Sequence, residues 1–468
     1  MLAGIRFGCG KTNMQVYLKA FSDECEALAE DGLDWQSPTT HENINSKVYA
    51  VTCACDSVAR CQLQGLVQFN GYFGCNWCLH PTQRFEGVKH VYPSSDPPYQ
   101  LRTHEHFVEK AILARRTGQN QCGVKPYPSL LLLLPKFDIV RGFPVDYMHA
   151  VCEGVVDKLV SLWFDSSYNQ DPWYIGRRIR EIDERIVGIV PPSEVTRLPA
   201  SPSKRAYWKA SEFRCWLLFY CLPIFNGILP TPYLKHLVLL IQSIWLLTQT
   251  KISAPDIEKA NSLLTTFVRR MEQLYGAEHM SFNNHILLHL PNTVRNWGPL
   301  WASSCFLFEG YNRKLKSLFH GTRGVAHQIV NNFVIVQGLT KKLNMMGEGT
   351  PLMEFMKAML RGYPLLRSVT KVEENDEDIL LQGKGNLFYC HDHETERCLS
   401  NYFEAPLCDL RIVEYEKVLV DGVRYEKAKC TTKSKRSDSV VAYGPNQIGK
   451  IMNILFVRQD VTFVMLVS

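Results

Sequence analysis

The sequence predicts a mixed α/β protein with a large helical part, a Cys2His2 zinc site and a small C-terminal β module. A strand-and-helix pattern occupies the first part of the chain, and helical periodicity dominates from about residue 103 to residue 290. Alternating apolar and polar residues return beyond residue 379 and are typical of strands. Two pairs of metal-ligand residues, Cys75 with Cys78 and His285 with His289, flank the helical part.

Composition limits the class of protein. With 468 residues the chain is long enough for two or three domains, and 46% hydrophobic and 21% charged residues are typical of a globular protein. The net charge of +6 permits nucleic-acid binding without demonstrating it. Because 16 cysteines occur without a signal peptide, we expect a reducing intracellular compartment. The run Leu130–Leu134 is far shorter than the roughly 20 residues that cross a bilayer, so no membrane partner is expected.

The first elements lead to a candidate acidic residue. Met1–Phe7 reads as a strand, Met14–Leu28 as a helix, Lys47–Cys55 as a buried strand and Ser57–Leu66 as a helix. Asp56 stands where the buried strand ends and the helix begins. Two roles fit that position, a metal ligand at the carboxyl end of a strand and a helix N-cap, and the local pattern favours the cap.

Helices and then strands are predicted along the rest of the chain. Helical spacing marks Tyr147–Phe164, Tyr207–Cys221, Tyr233–Leu247, Ala254–Tyr275, Met280–Leu290, Cys305–Phe319, Gln328–Leu343 and Pro351–Leu360. The acidic run Val372–Asp378 reads as a linker. Strand patterns follow at Leu410–Val418, Val423–Cys430 and Val440–Tyr443.

The paired cysteines and histidines have zinc spacing. Two cysteines three apart fit one tight turn, and two histidines four apart fit one face of a helix. Each pair has a second explanation: a CxxC can be redox-active or merely buried, and histidines on an apolar helix are often core residues. A hydrolase of the HExxH type is disfavoured because Ile286 follows His285 where a glutamate is needed. Taken together, the pairs favour a structural zinc.

An acidic residue flanks each pair on its outer side. Asp56 lies 19 residues before Cys75 (75 − 56), and Glu309 lies 20 after His289 (309 − 289). This order predicts a zinc-stapled fold that brings two distant carboxylates together. His149 and Glu153, one helical turn apart, could also bind metal, but packing or a local hydrogen bond is favoured for them.

The motifs resemble the transposase domain of CACTA-type (En/Spm-like) DNA transposons, especially the copies found in animal genomes. The resemblance covers most of residues 1–345. It is carried by Cys55-Asp56-Ser57-Val58-Ala59-Arg60, Phe69-Asn70-Gly71-Tyr72-Phe73-Gly74-Cys75-Asn76-Trp77-Cys78, Pro135-Lys136-Phe137-Asp138, Asp146-Tyr147-Met148-His149, Trp208-Lys209-Ala210-Ser211-Glu212-Phe213-Arg214, His285, His289, Gly298-Pro299-Leu300-Trp301 and Phe308-Glu309. The recombinase that assembles vertebrate antibody genes, a distant relative, has similar CxxC and HxxxH pairs.

The resemblance implies an RNase H-like core of the DDE superfamily, interrupted by a helical insertion. Residues 1–95 would be a partial core with the CxxC pair, 96–278 the insertion, 279–371 the core-completing helices and 379–468 a small β domain. In the family, two aspartates and a glutamate hold two Mg²⁺ or Mn²⁺ ions about 4 Å apart, which drive DNA cleavage and strand transfer. Zinc would hold the insertion against the core.

Carried over by position, Asp56 and Glu309 match the second and third catalytic acids. Cys75, Cys78, His285 and His289 match the zinc set. The implied partner is DNA, with a homodimer allowed and the nucleus as location. Basic candidates for DNA contact near Glu309 are Arg313, Lys314, Lys316 and Arg323, and weaker candidates are Lys204, Arg205, Lys209 and Arg214.

The family's first catalytic aspartate has no match in this sequence. Asp138 and Asp146 lie in the insertion and are expected to be structural or capping residues. We therefore expect a truncated core that is catalytically incomplete. The alternative is a non-catalytic DNA- or chromatin-binding protein that keeps the zinc fold.

Overall fold

The computed structural model describes two compact units. The described residues are 12–344, apart from 38, 194 and 196, and beyond them 350, 352–353, 355–356, 369–374, 377–383, 385–390, 392–421, 423–428, 437–444, 447–457 and 462–467. Met1–Ile186 and Arg197–Asn332 form the first unit, and Val187–Thr196 and Phe333–Ser468 form the second. The strand predicted at Met1–Phe7 and most of the helix predicted at Pro351–Leu360 lie outside the described residues.

Helices dominate the chain up to residue 344. They are α1 (Met14–Glu30), α2 (Ser57–Gln64), α3 (His104–Thr117), α4 (Asp157–Phe164), α5 (Ile179–Gly188), α6 (Ala210–Cys215), α7 (Cys221–Phe225), α8 (Thr231–Leu247), α9 (Ala254–Tyr275), α10 (Phe282–Ile286), α11 (Leu290–Trp297), α12 (Phe306–Lys316) and α13 (Val325–Asn344). Two π-helical segments, Met148–Val156 and Trp216–Tyr220, precede α4 and α7. Single 3-10 turns occur at Leu130–Leu133, Ser166–Tyr168, Gly176–Arg178, Pro202–Tyr207, Ala277–His279 and Leu287–His289.

The longest helices follow from their sequence signals. Helix α9 begins at a capping box, in which the Ser253 hydroxyl accepts from the Asp256 amide and the Asp256 carboxylate accepts in return. Its apolar residues recur at helical spacing and pack against α8, which is apolar nearly all round. Between these helices the His236 ring lies buried on the Phe267 ring, with 4.1 Å between the ring centroids. The helices predicted at Met14–Leu28, Tyr233–Leu247 and Ala254–Tyr275 are confirmed.

The strands described in the first unit form only two short hairpins. They are β1 (Leu33–Gln36) with β2 (Asn43–Ser46) and β3 (Gln83–Phe85) with β4 (Lys89–Val91). Among the described residues of this unit there is no larger sheet, so the RNase H-like sheet is not seen there.

The buried strand predicted at Lys47–Cys55 is wrong for the residues described. That segment has no regular secondary structure. The backbone hydrogen bonds described between this segment and others are isolated. The Val48 amide donates to the Leu28 carbonyl, and the Cys53 amide donates to the Gly142 carbonyl. A strand is defined by a continuous ladder to a neighbour, and an apolar, β-branched composition cannot supply that neighbour.

The second unit is built on antiparallel sheets. Its strands are β5 (Val369–Glu374), β6 (Glu377–Gln382), β7 (Asn386–Leu387), β8 (Ile412–Tyr415), β9 (Lys417–Val420), β10 (Val423–Glu426), β11 (Val440–Gly444), β12 (Gln447–Val457) and β13 (Thr462–Val467). One sheet has the order β10-β9-β6-β5; the other has the order β11-β12-β8-β7, with β13 also paired to β12. Helix His393–Tyr402 and the 3-10 turn Leu407–Asp409 complete the unit.

The core of the second unit comes from alternate residues of these strands. Ile379, Leu381, Val418, Ile451 and Ile454 are almost completely buried in it. The linker predicted at Val372–Asp378 is wrong, because the backbone there pairs β5 with β6 in a hairpin. The run of acidic residues suggested a solvated linker, but the hairpin also pairs with β9, a strand distant in sequence that the local charge pattern does not reveal. Within the described chain, no helix is both long and apolar enough to cross a membrane.

Candidate functional site

The structure brings the two predicted ligand pairs into one group, here called the zinc group (Cys75, Cys78, His285 and His289). Their ligand atoms all lie within 4.8 Å of one another, and all four residues are buried. Cys75 Sγ lies 3.5 Å from His289 Nε2, and Cys78 Sγ lies 3.2 Å from His285 Nε2. Tetrahedral zinc, with Zn–S near 2.3 Å and Zn–N near 2.0–2.1 Å, sets sulfur and nitrogen roughly 3.5 Å apart. The donor types and spacings therefore fit a zinc ion.

Local geometry aims each pair inward. Cys75 and Cys78 lie on a tight turn, in which the Trp77 amide donates to Cys75 Sγ over 3.4 Å. His285 lies in α10, and His289 ends the 3-10 turn that joins α10 to α11. The predicted single helix is thus a chain of short helical pieces. The four-residue spacing still places the Nε2 atoms of both histidines on the side that faces Cys75 and Cys78.

The two cysteines of the zinc group have pKa values that shift in opposite directions. Burial alone raises the pKa of Cys75, but the Cys78 side chain and the nearby histidines lower it, and the net pKa lies well below its ordinary value. The hydrogen bond that the Cys78 thiol donates to Cys75 Sγ, together with burial, raises the pKa of Cys78. Zinc binds cysteine as the thiolate, so zinc binding to this group would displace the protons that the two thiols carry. Burial also lowers the pKa of His289, which keeps this ring neutral and able to bind metal.

A buried arginine supports the cysteine turn from behind. Arg102 is only 4% exposed and donates to the carbonyls of Cys75, Cys78, Phe73 and Cys122 at 2.8–3.2 Å. Burial lowers the pKa of its guanidinium, whereas the charges of Cys75 and Cys78 raise it. Arg102 therefore fixes the loop and places a positive charge beside Cys75 and Cys78. Sequence reasoning missed it because no spacing rule links it to the CxxC pair.

Aromatic rings pack around the zinc group. The Tyr92 ring stacks on His285 with centroids 4.9 Å apart, and Trp77 stacks on His289 at 6.0 Å. His80 also touches His285, but it is not a fifth ligand. Its Nδ1 accepts from the Thr82 amide, and its Nε2 lies 3.0 Å from the Pro93 carbonyl. Burial lowers the pKa of His80 to about 4, so the ring is neutral.

Gly74, directly before Cys75, lies where the backbone of Gln68 and Phe69 approaches the cysteine turn closely. A Cβ at this position would stand 2.4 Å from the Gln68 carbonyl oxygen and 2.9 Å from Phe69 Cα. We expect Gly74→Ala to push the loop apart, to weaken zinc binding and to cost about 1–3 kcal/mol of stability. Chelator competition and thermal unfolding measure both effects. Gly310→Ala is the matched control, because nothing lies within 4 Å of its Cβ position. Equal behaviour of the two variants would contradict the packing role of Gly74.

Asp56 caps α2, which is the role favoured by local sequence. Its Oδ1 accepts from the Ala59 amide at 2.6 Å. Among the described residues, no hydrogen bond to its second carboxylate oxygen is seen. Glu309 lies in the first turn of α12 and is exposed. Capping therefore leaves Asp56 with an oxygen that could bind a metal.

The charges of Asp56 and Glu309, which are 253 residues apart (309 − 56), both act on one thiol, that of Cys305. Burial raises the pKa of Cys305 most, and Asp146 raises it next. The charges of Asp56 and Glu309 raise the same pKa further. Glu309 follows Cys305 by one helical turn, and its amide donates to the Cys305 carbonyl at 2.9 Å. Glu153 joins them, because the charge of Glu309 raises its pKa after the larger effect of burial. Asp56, Glu153 and Glu309 are called the acidic site below.

A second group, of Asp146, His149 and Cys305, has side-chain atoms within 4.8 Å of one another. Asp146 is structural, as predicted: its carboxylate accepts from the amides of Met148 and His149 at the start of the π-helix. His149 makes the favoured local hydrogen bond, with Nδ1 2.5 Å from Asp146 Oδ2. Sequence reasoning did not foresee that Asp146 also accepts from the Cys305 amide, at 2.8 Å.

The basic residues predicted to contact DNA include exposed side chains and side chains that have a partner within the protein. Exposed side chains without a described ion pair are those of Arg313, Lys314, Lys316, Arg323, Lys204 and Lys209. Arg205 forms an ion pair with Asp165 at 2.8 Å, which agrees with an ordinary surface role. Arg214 lies over the ring of Phe306, the first residue of α12, at 5.1 Å. Asp138 caps its own turn through the amides of Val140 and Arg141.

Comparisons with known proteins add no family assignment. No protein-family model and no curated protein matches this chain.

Proposed function

We propose that this chain is a transposase-derived, DNA-binding protein of the DDE type, in which a structural zinc holds a metal-binding acidic site together. The observation that carries the proposal is the buried zinc group, whose ligand atoms lie within 4.8 Å of one another and which stands between Asp56 and Glu309 in the sequence. The resemblance to CACTA-type transposases requires these two acids, distant in sequence, to meet. The buried zinc group lies between them along the chain and supplies a physical means of holding their segments together.

Zinc has a structural role in this proposal. The zinc group offers four protein ligands, so a bound ion keeps no open position for water or substrate. Ile286 also removes the glutamate that a hydrolytic HExxH site needs. In this proposal zinc therefore takes no part in the cleavage reaction.

The acidic site suits a hard divalent cation. Asp56 keeps an oxygen free of described hydrogen bonds, and Glu309 is exposed. Carboxylate oxygens are preferred ligands of Mg²⁺ and Mn²⁺, and these two residues would hold the ion. When bound, such ions polarise a phosphodiester and activate the attacking oxygen. Around the site, Arg313, Lys314 and Lys316 lie on the helix of Glu309, where they would bind DNA phosphates. DNA as partner implies a nuclear location.

A cleavage assay tests this proposal. We expect a protein in which the family's first core strand and its aspartate are restored upstream to nick labelled duplex DNA in Mg²⁺ or Mn²⁺. In that protein, Asp56→Asn or Glu309→Gln should reduce the rate at least roughly a thousandfold, because several kcal/mol of metal-ion stabilisation are lost. Glu109→Gln, an exposed acid on α3, is the control and should nick normally. Equal rates in all four proteins would exclude a catalytic role for Asp56 and Glu309.

A non-catalytic DNA-binding protein is the second candidate. It is favoured by the cap at Asp56, since a capping aspartate needs no catalytic role to be kept. In that case the protein with the restored strand binds DNA but does not cut it, and Asp56→Asn and Glu309→Gln leave the affinity unchanged. Zinc-dependent binding with no metal-dependent nicking would decide for this candidate.

A further inference from the structure

A cavity of about 250 Å³ lies beside the zinc group. One wall is the segment 92–101, here called the strap, and the facing wall is helix α9. The lining includes Cys78, His285 and His289, whereas Cys75 does not line the cavity. One water takes up roughly 30 Å³, so the cavity has room for several molecules of that size. It is therefore large enough to admit small molecules to one side of the zinc group.

Hydrogen bonds fix the strap against its neighbours. The Ser94 amide and hydroxyl both donate to the Glu272 carboxylate on α9, at 3.0 and 2.8 Å. At the start of the strap, the Tyr92 amide donates to the Met280 carbonyl at 2.7 Å. The cavity is therefore a built feature of the fold, because both of its walls are held in place.

The side of the cavity at Cys78 is close to solvent. Leu101, at the end of the strap, forms an isolated antiparallel bridge with Cys78. Residues that face each other across such a bridge carry their side chains on the same side. Leu101 lines the cavity and is 47% exposed, so its side chain borders both the cavity and the solvent. Leu101 therefore marks the side from which a small molecule can approach Cys78.

The two cysteines of the zinc group differ in their access to the cavity. Cys75 is completely buried and does not line the cavity, whereas Cys78 does. Their sulfur atoms nevertheless lie within 4.8 Å of each other. With zinc bound both cysteines are thiolates, the form of cysteine that reacts with oxidants. A molecule in the cavity consequently meets Cys78 first, and Cys75 is near enough to react with the product.

We propose that Cys78 is an oxidation site, at which a peroxide that enters the cavity converts the two cysteines of the zinc group into a disulfide. The Cys78 thiolate attacks a peroxide oxygen; a sulfur–oxygen bond forms, the oxygen–oxygen bond breaks and hydroxide leaves. The Cys75 thiolate then attacks the Cys78 sulfur, so that a sulfur–sulfur bond replaces the sulfur–oxygen bond and a second hydroxide leaves. Two thiolates are thus oxidised as one peroxide is reduced. With both sulfur ligands gone, the two remaining histidines no longer retain zinc.

Peroxide treatment of the whole zinc-loaded chain tests this site. We expect hydrogen peroxide to release the zinc, measured with a colorimetric zinc indicator, as a Cys75–Cys78 disulfide forms that peptide mass spectrometry detects. Cys221, which is 1% exposed and does not line the cavity, should remain reduced. With iodoacetamide in place of peroxide, Cys78 should be alkylated before Cys75.

Two substitutions on α9 test the route to Cys78. Thr265 lines the cavity and its neighbour Thr266 does not, although both are half-buried. We expect Thr265→Trp to fill the cavity and to slow zinc release roughly tenfold or more, because the reagent must then wait for a local opening of the fold. Thr266→Trp is the matched control and should release zinc at the normal rate. Zinc content and circular dichroism before treatment verify that both variants are folded.

Leu101→Ala widens the approach to Cys78 and should instead speed zinc release, which tests the route even if Thr265→Trp does not fold. Release at the normal rate from both Thr265→Trp and Leu101→Ala would overturn the inference, and so would alkylation of Cys75 before Cys78. The inference rests on the structural zinc of the proposed function but not on its acidic site. Retention of zinc in peroxide would overturn this inference and leave the proposed function intact, whereas a chain that binds no zinc would overturn both.

Discussion

Replacing His289 with alanine, or Cys75 with serine, is expected to remove the zinc and to lower the free energy of unfolding of the first unit by about 4 kcal/mol or more. The reason is that metal binding to a site formed only in the folded state is itself folding free energy, about 10–16 kcal/mol in small zinc peptides. Both residues lie in the interior, at 5% and 0% exposure, so the remaining ligands cannot recruit water easily. Denaturant unfolding and metal analysis of the purified protein measure the effect.

Cys221→Ala is the matched control for that experiment. Cys221 is as buried as the ligands, at 1% exposure, but belongs to a helix and not to the zinc group. Its replacement should leave one zinc per chain and cost only a small packing energy. If Cys75→Ser and His289→Ala kept full zinc content and wild-type stability, the four residues would not form a metal centre.

Replacing Arg102 with methionine should be the next most damaging change. The substitution keeps the apolar stem but removes a buried cation and four hydrogen bonds to carbonyls around the cysteine turn. Each buried carbonyl left without a donor costs about 1–3 kcal/mol. We also expect faster zinc loss to a chelator, because losing the groups that hold metal ligands in place changes metal affinity about 10- to 100-fold.

Two further variants separate the charge of Arg102 from its shape. Arg102→Lys retains the charge but cannot reach four carbonyls with a forked group, so it should lie between the wild type and Arg102→Met. Arg116→Met, at an exposed position near the end of α3, should change neither stability nor zinc release. A harmless Arg102→Met would show that the carbonyls find other donors and that the guanidinium is not needed.

Sequence patterns predicted the parts of this structure that depend on short-range spacing. The zinc group is confirmed as a buried cluster that could hold a metal, because CxxC and HxxxH spacings fix the geometry within each pair. The amphipathic pattern likewise predicted α9 to the residue. The identity of the metal, the catalytic roles of Asp56 and Glu309 and the DNA contacts stay predictions.

Features that depend on distant partners could not be predicted. Asp146 looked like a local cap, and its bond to the Cys305 amide spans 159 residues. Arg102 carries no motif, and its importance arises only from the carbonyls that the fold turns toward it. The error at Lys47–Cys55 has the same origin, since a strand exists only with its neighbour. Tertiary partners, rather than local propensity, determined each of these features.

X-ray absorption at the zinc edge, with metal analysis of the same sample, tests most directly whether the two ligand pairs form one structural zinc centre. We expect one zinc per chain, surrounded by two sulfur atoms at about 2.3 Å and two imidazole nitrogens at about 2.0–2.1 Å. A protein purified without zinc that does not take it up, or a zinc shell that contains no sulfur, would contradict the centre and remove the physical basis for joining Asp56 to Glu309.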